Sequence, residues 1–233
     1  MTAPIRVVLV DDHAVVRAGY RGLLQDSGRI EVVGEASGAA GAYRLYCELT
    51  PDVVVMDISL PGGSGIAALK QILARAARAR VLMFSMHEDA IFASHAMRAG
   101  ARGYITKSSA PEVLVDAVLS VAAGRTFLGT DIARTLALAD VSSQGNVLDS
   151  LTEREFDVLR LFLDGRSTSE VAQALNLSRK SVANHRWAIK QKTGVDNFMQ
   201  LLHVAMRMGI APDGLSSALP AERPLRDGRN SDD

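Results

Sequence analysis

Three carboxylates, two hydroxyls and an ammonium carry most of the chemistry open to this chain. Asp11 and Asp12 follow the apolar run 5–10, and Asp57 follows the run 53–56. Ser85 follows 81–84, while Thr106 and Lys107 follow 104–105. A hard cation such as Mg²⁺ prefers carboxylate and carbonyl oxygens, keeps several waters and often shares a phosphate as ligand. Two aspartates from one loop and one from another would supply such a site. The same groups suit phosphoryl transfer. The metal and Lys107 would neutralise charge on the moving group, and Asp57 could act as a carboxylate nucleophile, giving an acyl phosphate. Taken singly, Asp11 or Asp12 could be a helix cap and Asp57 a turn residue. Their shared placement at the ends of successive strands is what argues for one site.

That placement requires a particular framework. Strand-like runs at 5–10, 32–33, 53–56, 81–84 and 104–105 alternate with helical stretches near 14–25, 39–49, 66–77, 90–98 and 112–122. Five βα units in a row imply a parallel sheet with helices on both faces. The strands are short and continuously apolar, as expected of strands buried on both sides. Right-handed crossovers leave few topologies, and the pattern predicts a doubly wound, five-stranded α/β sheet of the flavodoxin-like kind. In such a sheet ligands bind at the carboxyl ends of the strands, where these residues fall.

Beyond Gly124 the pattern changes. A helical piece at 131–139 leads into a Ser/Gln/Gly/Asn/Asp-rich stretch at 141–150 that reads as a linker. From Leu151 onward only helices are predicted, near 152–164, 168–175, 179–193 and 197–208. Thr152 with Glu155 and Ser167 with Glu170 have capping-box spacing, and Ser178 is a third cap candidate. The tail from Ala211, rich in proline and acid, is expected to be disordered. The chain thus reads as residues 1–125, a helix and linker at 126–150, an all-α four-helix unit at 151–210, and a tail at 211–233.

Net charge is zero, with 26 basic and 26 acidic residues, so the distribution carries the information. Between Val171 and Val195 stand Arg179, Lys180, Arg186, Lys190 and Lys192 and no acid, a stripe suited to an anionic partner. Helix 168–175, a short connection and helix 179–193 have the layout of a helix-turn-helix. Val171, Leu175, Val182, His185 and Ile189 form its core stripes. Ala183, Asn184, Arg186, Trp187, Lys190 and Gln191 lie on the opposite face of the second helix, which fits a DNA major groove. Lys180, Ser181 and Lys190 are placed to touch phosphates. The lone Cys47 excludes a disulfide framework and a cysteine zinc site, and it reads as a small core residue. No apolar run reaches the roughly 18 residues of a membrane span, and no charged-then-apolar leader opens the chain, so the cytoplasm is the expected compartment.

Two resemblances sharpen this reading. Val8-Leu9-Val10-Asp11-Asp12-His13, Met56-Asp57 through Pro61-Gly62, Ser85-Met86-His87 and Gly103-Tyr104-Ile105-Thr106-Lys107 resemble the receiver domain of bacterial response regulators over residues 4–125. That resemblance implies that Asp57 accepts a phosphoryl group from a sensor histidine kinase. It implies that Asp11, Asp12 and Asp57 hold Mg²⁺ with a carbonyl near Ser59, that Ser85 and Lys107 bind the phosphoryl group, and that Tyr104 moves with Ser85. Leu151 through Glu155, Ser169 through Leu175, and Ser181 through Val195 are similar to the four-helix DNA-binding domain of NarL/FixJ (LuxR-type) regulators. In that family paired domains read two half-sites, so a homodimer on double-stranded DNA is expected, with a stripe of Met199, His203 and Met206 as one possible contact. A resting receiver that covers the reading helix is a further expectation.

The sequence departs from these families in three places. Ser108 stands where many receivers have a proline preceded by a cis peptide, and a cis bond to a non-proline costs about 2.5–4 kcal/mol. The loop after Asp57 is unusually rich in glycine. Ala183 and Trp187 replace lysines of some relatives, so the target sequence does not carry over. Other readings fit less well. A phosphatase using an aspartyl phosphate would need an acid where Ser59 stands, so no enzyme is expected. A ligand-sensing regulator would not show this acidic cluster. A receiver that signals without phosphorylation is the remaining alternative.

Overall fold

In the computed structural model, residues 3–61, 63–88, 90–141, 150–163 and 165–193 are described. Residues 142–149 of the expected 141–150 linker, the helix near 197–208 with its Met199/His203/Met206 stripe, and the tail 211–233 lie outside them.

A parallel sheet organises the first part of the chain. Its strands are β1 (Ile5–Val10), β2 (Ile30–Ala36), β3 (Val53–Met56), β6 (Val81–Ser85), β7 (Gly103–Thr106) and β8 (Phe127–Leu128), in the order β2-β1-β3-β6-β7-β8. The sheet is therefore six-stranded, not five-stranded. The additional edge strand is two residues long, too short for any periodicity, and forms because Phe127 and Gly129 donate backbone hydrogen bonds to Arg102 and Tyr104. At the other edge β2 is longer than its apolar Val32-Val33 core suggests. Pairing with β1 carries it through Gly34 and Glu35, with a register irregularity between Val7 and Val8. A separate two-stranded ribbon, β4 (Ser59–Leu60) with β5 (Gly63–Ser64), follows β3.

Alternation along the buried strands sends side chains to two layers. Val7, Leu9, Val53, Val55, Leu82, Phe84 and Ile105 pack against α1 (Ala14–Asp26) and α5 (Pro111–Ala122) through Leu24, Leu114, Ala117, Val118 and Val121. Val8, Val10, Val54, Met56, Val81 and Met83 face the other layer: α2 (Ala39–Leu49), α3 (Gly65–Arg75) and α4 (Ala90–Arg98). The strand order reverses between β1 and β3, so their carboxyl ends open a crevice that holds Asp11 and Asp57. Cys47 is exposed, contrary to the core expectation. Ala42, Leu45, Tyr46 and Leu49 form the inner stripe of α2, and Cys47 falls with Arg44 and Glu48 on its outer face.

After β8, α6 (Thr130–Val141) lies beside α4. The helix-turn-helix follows as α7 (Glu153–Leu163), α8 (Thr168–Ala174) and α9 (Arg179–Thr193). All three expected caps form: Thr152 and Glu155 exchange bonds at α7, Ser167 and Glu170 do so at α8, and the Ser178 hydroxyl accepts from the Ser181 N–H at α9. Val171, Leu175, Val182 and Ile189 are buried, while His185 is half-buried. Phe156 of α7 continues this core into the sheet domain, edge-on to Phe92 at 5.0 Å between centroids and stacked on His95 at 4.3 Å.

Candidate functional site

The site forms where β1, β3, β6 and β7 end. β1 delivers Asp11 and β3 delivers Asp57, both buried, and β7 aims Lys107 between them. Lys107 Nζ donates to Asp11 Oδ2 at 2.5 Å and to Asp57 Oδ2 at 2.6 Å. The second Asp57 oxygen, Oδ1, accepts the Ser59 N–H at 3.2 Å. Burial favours the neutral form of Asp57 and holds its carboxyl above the usual range, although the Lys107 charge opposes this. Burial also works against the Lys107 ammonium, but Asp57 and Asp11 outweigh it and hold Lys107 above its ordinary value. The amine therefore remains a cation between two carboxyl groups.

A tight packing contact fixes the acceptor loop. The Gly65 N–H donates to the Ile58 carbonyl at 2.8 Å, and a Cβ on Gly65 would lie 1.9 Å from the Asp57 carbonyl oxygen. Only glycine allows α3 to start this close to the acceptor.

Asp12 is more exposed than Asp11. With His13 the two form a group whose potential ligand atoms lie within 4.8 Å of one another. His13 Nδ1 sits 2.8 Å from Asp12 Oδ1. These are hard oxygen donors beside an imidazole, and the two carboxylates suit a small divalent cation. Asp57 is not in that group; it joins Asp11 through Lys107.

Ser85 is fully buried, and its Oγ accepts the His87 N–H at 3.3 Å. Tyr104 is also fully buried and donates its hydroxyl proton to the His87 carbonyl at 2.8 Å. Thr106 turns away from the carboxylates, its hydroxyl meeting those of Ser108 and Ser109 at 3.0 and 2.9 Å. The Lys107–Ser108 peptide is trans. Three residues given no side-chain role from sequence also meet at this rim. His87 Nε2 lies 3.1 Å from Ser59 Oγ, and Arg160 of α7 donates to the same oxygen at 3.0 Å. The spacing two residues beyond Asp57 and Ser85 could have flagged Ser59 and His87, but nothing in the sequence connects either to Arg160.

On α9, Lys180, Ala183, Asn184, Trp187, Lys190 and Gln191 are exposed, and Trp187 is 66% accessible. Ser181 is half-buried, its hydroxyl 2.8 Å from that of Ser178. Arg186 lies over the Phe162 ring at 4.9 Å, and Lys192 binds Glu155 at 2.7 Å. Those two cations thus brace α9 against α7. Among the described residues, the receiver side meets the helical unit through α7, and the outward side chains of α9 are exposed. Contrary to expectation, nothing of the receiver among the described residues covers the reading helix.

Comparison with known proteins agrees with this architecture. Residues 7–119 match the response regulator receiver domain, and residues 149–205 match the bacterial regulatory proteins of the luxR family. The response regulator UvrY of Escherichia coli is 36% identical over 208 residues, covering 88% of this chain and 95% of its own. A LuxR-family two-component response regulator from Aurantimonas superposes with a TM-score of 0.59 and 48% identity, over 60% of this chain and 99% of its own. RcsB from Salmonella enterica serovar Typhimurium, bound to promoter DNA in the presence of phosphomimetic BeF3-, gives a TM-score of 0.69 at 26% identity, over 87% and 98%. No described helix is long and apolar enough to cross a membrane. Receiver and LuxR-type domains in one chain make this protein a member of the DNA-binding response regulators of two-component systems, which act on transcription rather than as enzymes.

Proposed function

We propose that Asp57 is the phosphoryl acceptor and that its phosphorylation by a sensor histidine kinase switches DNA binding. The observation that carries this reading is the buried Lys107 ammonium joining Asp57 to Asp11. An Asp57 carboxylate oxygen bonds to phosphorus as the bond to the donor's histidine nitrogen breaks, leaving an acyl phosphate and a neutral imidazole. Lys107 stays protonated and offsets the added charge, and the Ser85 hydroxyl would donate to a phosphoryl oxygen. Asp11, Asp12 and Asp57, with a carbonyl near Ser59, would hold Mg²⁺, whose contribution is to neutralise charge on the transferring group.

The DNA contacts are assigned to Lys180, Ser181, Ala183, Asn184, Arg186, Trp187 and Lys190. The lysines would meet phosphates, and Ala183, Asn184 and Trp187 would face base edges. Arg186 would reach DNA from its place over the Phe162 ring. We further infer a division into residues 1–125, 126–150, 151–210 and 211–233, a cytoplasmic location, and a homodimer when active.

Intact mass after incubation with a small phosphodonor and Mg²⁺ tests the switch. The wild-type chain is expected to gain one phosphate and Asp57→Ala none. Gain by the variant would refute the acceptor assignment, and no gain by wild type would favour a regulator controlled without phosphorylation.

A further inference from the structure

We propose that Arg160, Ser59 and His87 form a gate over the phosphoryl pocket, through which the DNA-binding half sets the lifetime of the acyl phosphate. The inference rests on Asp57 being the acceptor.

Three observations place the gate. Lys107 holds Asp57 Oδ2 and the Ser59 N–H donates to Oδ1, so the Ser59 turn lies directly against the acceptor carboxylate. Ser59 folds back on Asp57, and His87 folds back on Ser85. Their side chains then meet, Ser59 Oγ to His87 Nε2 at 3.1 Å, across the two loops that border the pocket. The Arg160 guanidinium of α7 closes the arrangement by donating to Ser59 Oγ at 3.0 Å.

The gate is held from both sides. His87 stacks on Phe92 with centroids 3.9 Å apart, and its carbonyl accepts the Tyr104 hydroxyl. Phe92 packs edge-on to Phe156, one helical turn before Arg160 on the same face of α7. Docking of α7 therefore fixes Arg160 and the gate together.

Loss of phosphate requires a water oxygen to bond to phosphorus while the bond to the Asp57 oxygen breaks. The carboxylate is regenerated, and inorganic phosphate leaves with the water's protons shared between it and solvent. Water must approach opposite the leaving carboxylate, and in this proposal the contact between Ser59 and His87 narrows that approach. Arg160 acts as a positioning residue: it holds Ser59 in place. A helical unit that undocks opens this route, so the signal decays faster in the undocked state.

The test uses the full chain loaded with acetyl phosphate and Mg²⁺, freed of donor, and followed by intact mass. Arg160→Gln and Ser59→Ala are each expected to shorten the phosphate lifetime by about two- to twelvefold, the range spanned by one net hydrogen bond. Phosphate uptake should be no slower than in wild type, whereas general damage to the site would slow it. Because both changes break the contact between Arg160 and Ser59, the double variant should decay no faster than the faster single variant. A wild-type lifetime in Arg160→Gln, slower uptake in both variants, or multiplying effects would overturn the proposal. If Arg160→Gln fails to melt cooperatively, Ser59→Ala, in the short β4–β5 ribbon, decides alone. A wild-type chain that takes up no phosphate would instead overturn the acceptor reading, and this inference with it.

Discussion

Replacing Lys107 with methionine keeps the length of the side chain and removes a cation hydrogen-bonded to two buried carboxyl groups. The side chains of Asp11 and Asp57 are 2% and 5% exposed, and each lies within 2.6 Å of Nζ. Removing one partner of a buried ion pair costs about 3–5 kcal/mol, because the remaining charge is left without compensation. Protonation sets a ceiling on that cost. Near neutral pH, neutralising a carboxyl whose ordinary value is 3.8 costs about 1.4 kcal/mol per pH unit, or about 4 kcal/mol. Burial already raises Asp57, so Asp57 neutralises more readily than an ordinary carboxyl. The expected loss is therefore about 3 kcal/mol, which for a urea slope of about 1–3 kcal/mol/M lowers the unfolding midpoint by roughly 1–3 M. Urea titration followed by circular dichroism measures it. Adding Asp57→Asn to Lys107→Met should recover about half of the loss, since one of the two orphaned charges is gone. Asp57→Asn alone should stabilise the protein near neutral pH, because its carboxylate is disfavoured by burial while Lys107 keeps Asp11. A Lys107→Met variant within about 0.5 kcal/mol of wild type, or a double variant no better than the single, would refute this account of the site.

Other perturbations probe the remaining elements. Gly65→Ala places a methyl 1.9 Å from the Asp57 carbonyl oxygen, so it should exceed the usual overpacking cost of about 1–3 kcal/mol and reduce phosphate uptake, as read by melting and intact mass. Burial acts to raise Glu155, but bonds from Lys192 and Thr152 hold its carboxyl below the ordinary 4.5. A depressed carboxyl adds stability above 4.5 that is lost as pH falls through the folded value, so acid should lower the melting point of wild type more than that of Glu155→Gln. Removing one phosphate contact with Lys190→Ala should reduce the slope of log affinity against log salt by about 0.9 on duplex DNA. Trp187→Ala should leave that slope unchanged and alter discrimination among sequences, as measured by fluorescence anisotropy.

Much of this molecule is legible in the sequence because its signals are local. Apolar runs buried on both faces have no other stable arrangement, so five strands, and the acidic or hydroxylic residues that end four of them, could be read directly. The three helix caps are equally local, since hydroxyl and carboxylate lie within one turn of the groups they satisfy. Tertiary structure decided what depends on a neighbour distant in sequence. Phe127 and Leu128 become a strand only because β7 offers an unpaired edge. Cys47 is exposed because the apolar stripe of α2 passes one position away from it. Thr106 points to Ser108 and Ser109, although its place at a strand end resembles that of the residues in the pocket. The contact from Arg160 to Ser59 spans 101 residues and two domains, and it depends on α7 docking through Phe156 while leaving α9 open. Sequence determined the chemistry, because residue types at strand ends follow from hydrophobic patterning. The route linking that chemistry to the DNA-binding half was decided by packing, because it consists of contacts that no periodicity encodes.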